Sequence, residues 1–301
     1  MNKFAPVFVI VAASLWGIDG IILRPALYNL PVPLVVLIET SIAAILLTPI
    51  LALRLKSIKQ LKLKDWIAFI GVALLGGAIG TMAITKALFY VNFVNLSVVI
   101  LIQKLQPVFA LTFAALFLKE RLPKEFFLWA SFAIVGAYLM TFGFNLPILT
   151  TGDKTVVAAG LSIIAAASFG SSTVLSKRAL KNISYETGTY LRFSITALIM
   201  LIINIFMNDF GSISQINFHQ WVIFLIIALT TGGVAIVFYY YGLKNISASV
   251  ATICELAFPL TAVILEYFIH QNILSAVQWF GVTILLLSII KVSGVKFIKS
   301  N

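Results

Sequence analysis

The chain has 301 residues, 61% of them hydrophobic and only 10% charged, and its mean hydropathy is +1.08. Soluble domains carry about a quarter charged residues, so a water-soluble fold is excluded. The net charge of +11 forms no basic stripe with interleaved aromatics, which argues against a nucleic-acid partner; the lone Cys254 excludes an internal disulfide, and His219 and His270 do not supply the clustered ligands of a usual zinc site.

A membrane-crossing helix needs about 20 mostly apolar residues, because each adds about 1.5 Å across a hydrocarbon layer roughly 30 Å thick. Ten segments qualify: 4–23, 32–53, 66–90, 95–118, 126–144, 155–175, 187–207, 218–241, 248–268 and 277–294. Lipid offers no partner to an unpaired amide or carbonyl, so these are predicted helices and the fold class is an all-α polytopic membrane protein. The first segment has a lysine before its apolar run, as a secretory signal does, but Trp16, Asp19 and the run's length favour a retained span.

Cations set the expected orientation, because lysine- and arginine-rich loops stay on the cytoplasmic side. Sixteen of the 21 lysines and arginines fall in the segments on one side, including the runs at 54–64 and 119–124. Arg24 and Lys154 fall on the other side, and Lys86, Lys104 and Arg192 lie within spans. The expectation is a multi-pass protein of the cell (inner) membrane with both termini cytoplasmic.

The chain repeats itself. Residues 95–123 lie over residues 247–275 at a shift of 152, with Ser97 on Ser249, Pro107 on Pro259 and Leu122 on Leu274. At a shift of 154 the first span matches the sixth (Ser14 on Ser168, Arg24 on Arg178), and at 153 the stretch from Glu39 matches that from Arg192. Glycine pairs recur at Gly76–Gly77 and Gly232–Gly233. The predicted repeats are residues 1–146 and 147–301, each with five helices. An odd number sends the second copy in from the opposite face, giving a 5+5 inverted-topology repeat, an arrangement common among alternating-access transporters.

With LQPVFALTFAALFLKERL closing the fourth span, and Ser14, Leu15, Trp16 and Gly17 in the first, the chain resembles the drug/metabolite transporter superfamily in its EamA-type branch. The signature is a proline-containing fourth helix, a leucine-rich run, then a Glu and a Leu two apart; Pro107, Leu116, Glu120 and Leu122 match it. The second copy keeps Pro259 and Leu274 but has Asn272 at the Glu position. The resemblance implies a transporter, and an exporter by family habit, without fixing the substrate.

Ionisable residues at bilayer depth are costly and face protein or water with a partner. Asp19, Glu39 and Lys86 fall in the outer parts of their spans, Lys104 lies mid-span, and Arg192 and Glu255 fall in the inner parts. Equal depths predict Lys86 paired with Glu39 or Asp19, and Arg192 with Glu255. Pro107 and Pro259 are predicted to leave the carbonyls of Gln103 and Glu255 without amide partners. Trp16, deep in the first span, joins these residues as a candidate cavity wall. Tyr239, Tyr240 and Tyr241 suit interfacial anchoring, with Tyr240 also a cavity candidate. The fifth and tenth spans have no mid-span charge and are expected at the periphery.

The expected function is a secondary active transporter or facilitator for a small polar or amphipathic metabolite, amino-acid-like first, with a lipid-linked, nucleotide-sugar or quaternary-amine substrate as the alternative. Expected partners are that small molecule and membrane lipid, with a coupling proton on Glu39, Glu255 or Asp19 left open, in a monomer or homodimer. No cofactor is expected. An enzyme is disfavoured because the sequence has no histidine-carboxylate pair, no metal-ligand spacing and no Asp-rich loop, and direct ATP coupling because it has no GxxxxGK loop.

Overall fold

The computed structural model describes residues 4–90, 99, 102, 103, 105–120, 122–145, 153–270 and 274–294. Among them no strand occurs. The apolar helices in chain order are α1 (Ala5–Leu27), α2 (Val32–Leu46), α3 (Leu63–Tyr90), α4 (Gln106–Leu118), α5 (Lys124–Phe142), α6 (Val156–Ala179), α7 (Tyr185–Met207), α8 (Phe218–Asn245), α9 (Ala248–Leu265) and α10 (Ala276–Ser293). All but α2 and α4 are long and apolar enough to cross a membrane.

Local chemistry sets several ends. Asn217 and Ser275 each accept a backbone hydrogen bond from a glutamine three residues on, and that glutamine bonds back, forming capping boxes at the starts of α8 and α10. Ser184 and Ser247 cap α7 and α9. The expected second span, 32–53, is broken: α2 stops at Leu46, and a separate helix, Thr48–Lys59, follows. Pro49 explains the break, since it has no amide hydrogen to continue the ladder.

Side-chain bridges place the helix ends on two faces. On the face carrying Phe4, Lys177 Nζ donates to the carbonyls of Leu243 and Lys244 at 2.8 and 2.9 Å, and Asn182 Nδ2 donates to Asp65 Oδ1 at 3.1 Å. On the far face, Gln220 Nε2 donates to Ala26 O and Asn29 Oδ1, and Asn204 Nδ2 donates to Pro33 O. The former is the terminal face, because α10 also ends there, with Lys291 Nζ 5.9 Å from the Trp129 ring at the start of α5.

Helix neighbours obey a two-fold rule. α1 packs on α8 and α9, while α6 packs on α3 and α4; α2 meets α7, α4 meets α9, and α5 meets α10. Exchanging each helix with the one five places away returns the same set of pairs. Two glycines give this symmetry an atomic form. A Cβ on Gly17 would lie 2.9 Å from Phe258 O and from Thr261 Cβ, and one on Gly170, 153 residues later, would lie 3.1 Å from Gln106 O and 3.0 Å from Phe109 Cβ. Gln106 and Phe109 stand 152 residues before Phe258 and Thr261. Both helix crossings therefore rely on the absence of a side chain.

The peripheral α5 and α10 pack on each other. A Cβ on Gly281 would meet Met140 N at 2.3 Å, and one on Gly136 would meet Leu285 N at 2.8 Å, so the two helices run antiparallel with backbones touching. They are not wholly peripheral, because Met140, Thr141 and Gln278 at their far-face ends line the central cavity.

Candidate functional site

A cavity of about 680 Å³ opens between the two halves of the chain, with α1 to α4 and α6 to α9 in its wall. Its floor lies at Thr173, Arg192, Tyr239 and Glu255, in the part of the bundle nearer the terminal face, and its lining extends toward the far face as high as Arg24, Leu88 and Thr141. This volume lies within the range of about 300–1,000 Å³ that holds a small organic ligand.

Of the predicted residues, Trp16, Asp19, Glu39, Gln103, Pro107, Arg192, Glu255 and Pro259 line this cavity. Lys104 lies outside the described residues. Lys86 does not line it; its exposed side chain reaches over the Tyr90 ring, 5.7 Å from the centroid. Tyr240 is fully buried beneath the wall, with its hydroxyl 3.1 Å from Ser176 Oγ and 3.5 Å from Arg192 Nη1.

The charged partners differ from those predicted. Asp19 and Glu39 are held by Arg24 and not by Lys86: Arg24 Nε and Nη2 donate to Asp19 Oδ2 at 2.8 and 2.7 Å, and Nη1 and Nη2 lie 3.3 and 3.4 Å from the Glu39 carboxylate. Local geometry brings this about. Residues 19–23 form a π-turn inside α1, in which the Arg24 amide bonds the Asp19 carbonyl five residues back and both side chains come to one face. Arg24 was expected in a loop. It is instead the cation of a buried triad, with Asp19 and Glu39 each 8% exposed.

Arg192 and Glu255 form no ion pair within 4 Å. Glu255 accepts from Gln106 Nε2 at 2.6 Å and from Tyr239 Oη at 2.8 Å, with Thr173 Oγ1 at 3.4 Å. Arg192 rests over the Tyr240 ring, 5.8 Å from its centroid. The Glu255 network joins α4, α6, α8 and α9 at the floor, and it sits where α9 is interrupted between its segments Ala248–Cys254 and Ala257–His270. The Glu255 carbonyl is not left open by Pro259, because the Phe258 amide bonds it at 3.0 Å. The cavity therefore meets the Glu255 side chain and not a freed carbonyl.

Two features were missed from sequence. Tyr239, read as an anchor, is buried against Glu255 and Trp16, with ring centroids 5.3 Å apart in the latter contact. Thr85, Ser172, Thr196, Thr231 and Thr252 line the cavity, and their hydroxyls are buried without hydrogen-bond partners. Single buried threonines carry no sequence signal. Buried polar groups are ordinarily bonded, so five unsatisfied hydroxyls beside one void set this wall apart.

The EamA-like transporter family matches the chain twice, over residues 3–142 and 156–294. The chain belongs to the EamA-like transporter family. Riboflavin transporter ImpX of Fusobacterium nucleatum subsp. nucleatum is 46% identical over 286 residues, covering 95% of this chain and 96% of that one. An uncharacterized transporter of Synechocystis sp. is 28% identical over 243 residues, or 79% of this chain and 68% of its own. A crystal structure 16% identical in sequence superposes with a TM-score of 0.73 over 98% of both chains, which supports the fold alone.

In this EamA-like transporter the glutamate of the family signature has a visible task. Glu120 Oε1 and Oε2 accept from the amides of Ala248 and Ser249 at 2.9 and 3.1 Å, and Oε2 also accepts from Ser249 Oγ at 2.5 Å. A carboxylate from the first repeat thus caps the positive end of α9 in the second, on the terminal face. Lys119 reaches this turn in a left-handed conformation, φ 53°.

Proposed function

We propose that this transporter carries riboflavin, or a closely similar neutral flavin, across the membrane through the central cavity by alternating access. The observation that carries the proposal is the cavity's mixed lining. Trp16, Phe169, Phe193, Tyr239 and Phe258 offer flat apolar surface, while the unpartnered hydroxyls and Gln103 offer hydrogen bonds. A flavin has the matching halves: a planar tricyclic ring with a uracil-like edge, and a polyhydroxyl ribityl chain. The 46% identity to a riboflavin transporter over nearly the full length of both chains supports the same substrate.

An amino acid needs a free anion and a free cation close together. The cavity instead has Arg24 held by two carboxylates and Glu255 already bonded to Gln106 and Tyr239. Arg192 then stands opposite the Glu255 network as the cavity's other cation among the described residues. It faces the acceptor-rich edge of a flavin ring more readily than it serves a zwitterion.

Riboflavin fluorescence provides the test. Purified protein in liposomes should move riboflavin, and in detergent it should quench riboflavin fluorescence saturably. Unlabelled amino acids, choline and a nucleotide sugar should fail to compete. No saturable riboflavin binding, together with thermal stabilisation of the protein by one of these compounds, would replace the flavin proposal with that compound's class. Loading liposomes on one side at a time reads the direction.

A further inference from the structure

We infer that the Asp19–Arg24–Glu39 triad reads the ribityl end of the substrate and makes the carrier select unphosphorylated flavin over flavin phosphate. This rests on the flavin proposal and adds a specificity site to it.

The triad has two carboxylates for one guanidinium, and all three lie on the cavity wall. Each guanidinium nitrogen faces a carboxylate: Nε and Nη2 are bonded to Asp19 Oδ2, Nη2 also lies 3.4 Å from Glu39, and Nη1 lies 3.3 Å from Glu39 Oε1 without forming a hydrogen bond. Asp19 Oδ1 is a buried acceptor with no hydrogen bond, on a residue only 8% exposed. A buried polar atom without a partner is costly, and the unbonded atoms here are two acceptors, Asp19 Oδ1 and Glu39 Oε1, and one donor, Arg24 Nη1, so this end of the cavity favours a group that can donate as well as accept over one that can only accept.

Position links that demand to the substrate. Trp16 meets Tyr239 in a tilted contact at the floor, and Asp19 lies three residues further along α1 toward the far face, about 4.5 Å of helix. A flavin ring seated on Trp16 sends its ribityl chain past Asp19. Ribityl hydroxyls can donate to the carboxylates. A terminal phosphate, nearly doubly ionised at neutral pH, can only accept, and it would meet two carboxyl groups whose shared guanidinium already faces both. Like charges at close quarters in a low-dielectric site cost enough for strong discrimination.

Titrations of the purified full-length protein, followed by flavin fluorescence, test this with riboflavin, riboflavin 5′-phosphate and lumiflavin, which is the ring system without the ribityl chain. In the wild type the phosphate should bind about a hundredfold more weakly than riboflavin. Asp19→Asn removes one charge and leaves Arg24 with spare donors. The gap should then fall below about tenfold, with the phosphate gaining affinity while riboflavin loses it. Glu39→Gln should move the gap in the same direction, and saturable lumiflavin binding shows that either variant still has a formed ring site. Equal binding of riboflavin and its phosphate in the wild type would overturn the inference. So would an unchanged gap in both variants, or phosphate binding abolished by Arg192→Gln, which would put the phosphate at the floor. If the wild type binds no riboflavin at all, it is the flavin proposal that has failed.

Discussion

At Arg24 one guanidinium holds two buried carboxylates, and removing it would leave both charges without a partner in a site about a tenth exposed. Breaking such a buried pair costs about 3–5 kcal/mol, so Arg24→Ala should lower the thermal midpoint of the detergent-solubilised protein sharply. Arg24→Lys should recover part of the loss, because a point charge cannot span Asp19 and Glu39 as a planar fork does. Lys86→Ala, by contrast, should stay within about 0.5 kcal/mol of wild type, since Lys86 is exposed and, among the described residues, reaches over the Tyr90 ring. Equal losses in Arg24→Ala and Lys86→Ala would restore the pairing read from sequence. That reading singled out both carboxylates, and the structure pairs them with Arg24 in place of Lys86. Residues five apart lie about 140° apart on an α-helix, so the periodicity placed Asp19 and Arg24 on different faces. The π-turn at 19–23 brings them together, and nothing in DGIIL announces it. Glu255 was legible as a buried acid for the opposite reason: a carboxylate within an apolar run is conspicuous, whereas Gln106, Thr173 and Tyr239, which satisfy it, are ordinary polar residues until the fold gathers them.

At the scale of the element, glycine and proline mark different things. Gly281 and Gly136 let α5 and α10 meet backbone to backbone, so Gly281→Ala should destabilise by about 1–3 kcal/mol. Gly160→Ala is the control. Nothing lies within 4 Å of a Cβ at Gly160, and the substitution should be neutral or stabilising by up to about 1 kcal/mol through helix propensity. Thermal unfolding monitored by circular dichroism distinguishes the two, and an equal response would mean that the α5–α10 contact carries no weight. The prolines act at the breaks. Pro259 follows the interruption of α9, and Gln106, beside Pro107, reaches across to Glu255 at 2.6 Å, so the breaks of the two repeats are joined at their centre. Restoring a continuous helix with Pro259→Ala should move Glu255 relative to Gln106 and lower riboflavin transport by about tenfold or more, with the protein still folded. Transport at the wild-type rate in both Pro259→Ala and Pro107→Ala would remove any hinge role. The prolines were plain in the sequence. What the break does with its carbonyl was not, because the Phe258 amide closes onto Glu255 O only once the turn has tightened.

The family model matches the chain twice, and the internal repeat was readable before any coordinates, since shifts of 152 and 154 carry Pro107 and Ser14 onto their counterparts. The cavity, in contrast, is asymmetric. Asp19 and Glu39 stand in the first repeat where the second has Thr173 and Arg192, so the two carboxylates lie where the copies have diverged, whereas the arginine is kept as Arg178 but is exposed. Alternating access by rocking such halves requires contacts between repeats to form on one face and break on the other. With the lining running from the floor toward the far face, the contact to break is on the terminal face, where Glu120 of the first repeat caps the amides of Ala248 and Ser249 in the second. Capping interactions of this kind contribute about 1–2 kcal/mol, enough to shift a two-state population about five- to thirtyfold. Glu120→Ala should therefore favour opening on the terminal face. On a background with Cys254 replaced by alanine, a cysteine at Thr141 on the far-face wall should react more slowly with a maleimide in Glu120→Ala than with Glu120 intact. A cysteine at Ser249 is unsuitable, because Ser249 Oγ is itself part of the cap; Ala248→Cys keeps the serine hydroxyl and should react faster in Glu120→Ala. Glu120→Gln, which still accepts hydrogen bonds but lacks the charge that favours a helix start, should fall between the two. If Glu120→Ala lowers the thermal midpoint while leaving both labelling rates unchanged, Glu120 holds the fold together without setting which face is open.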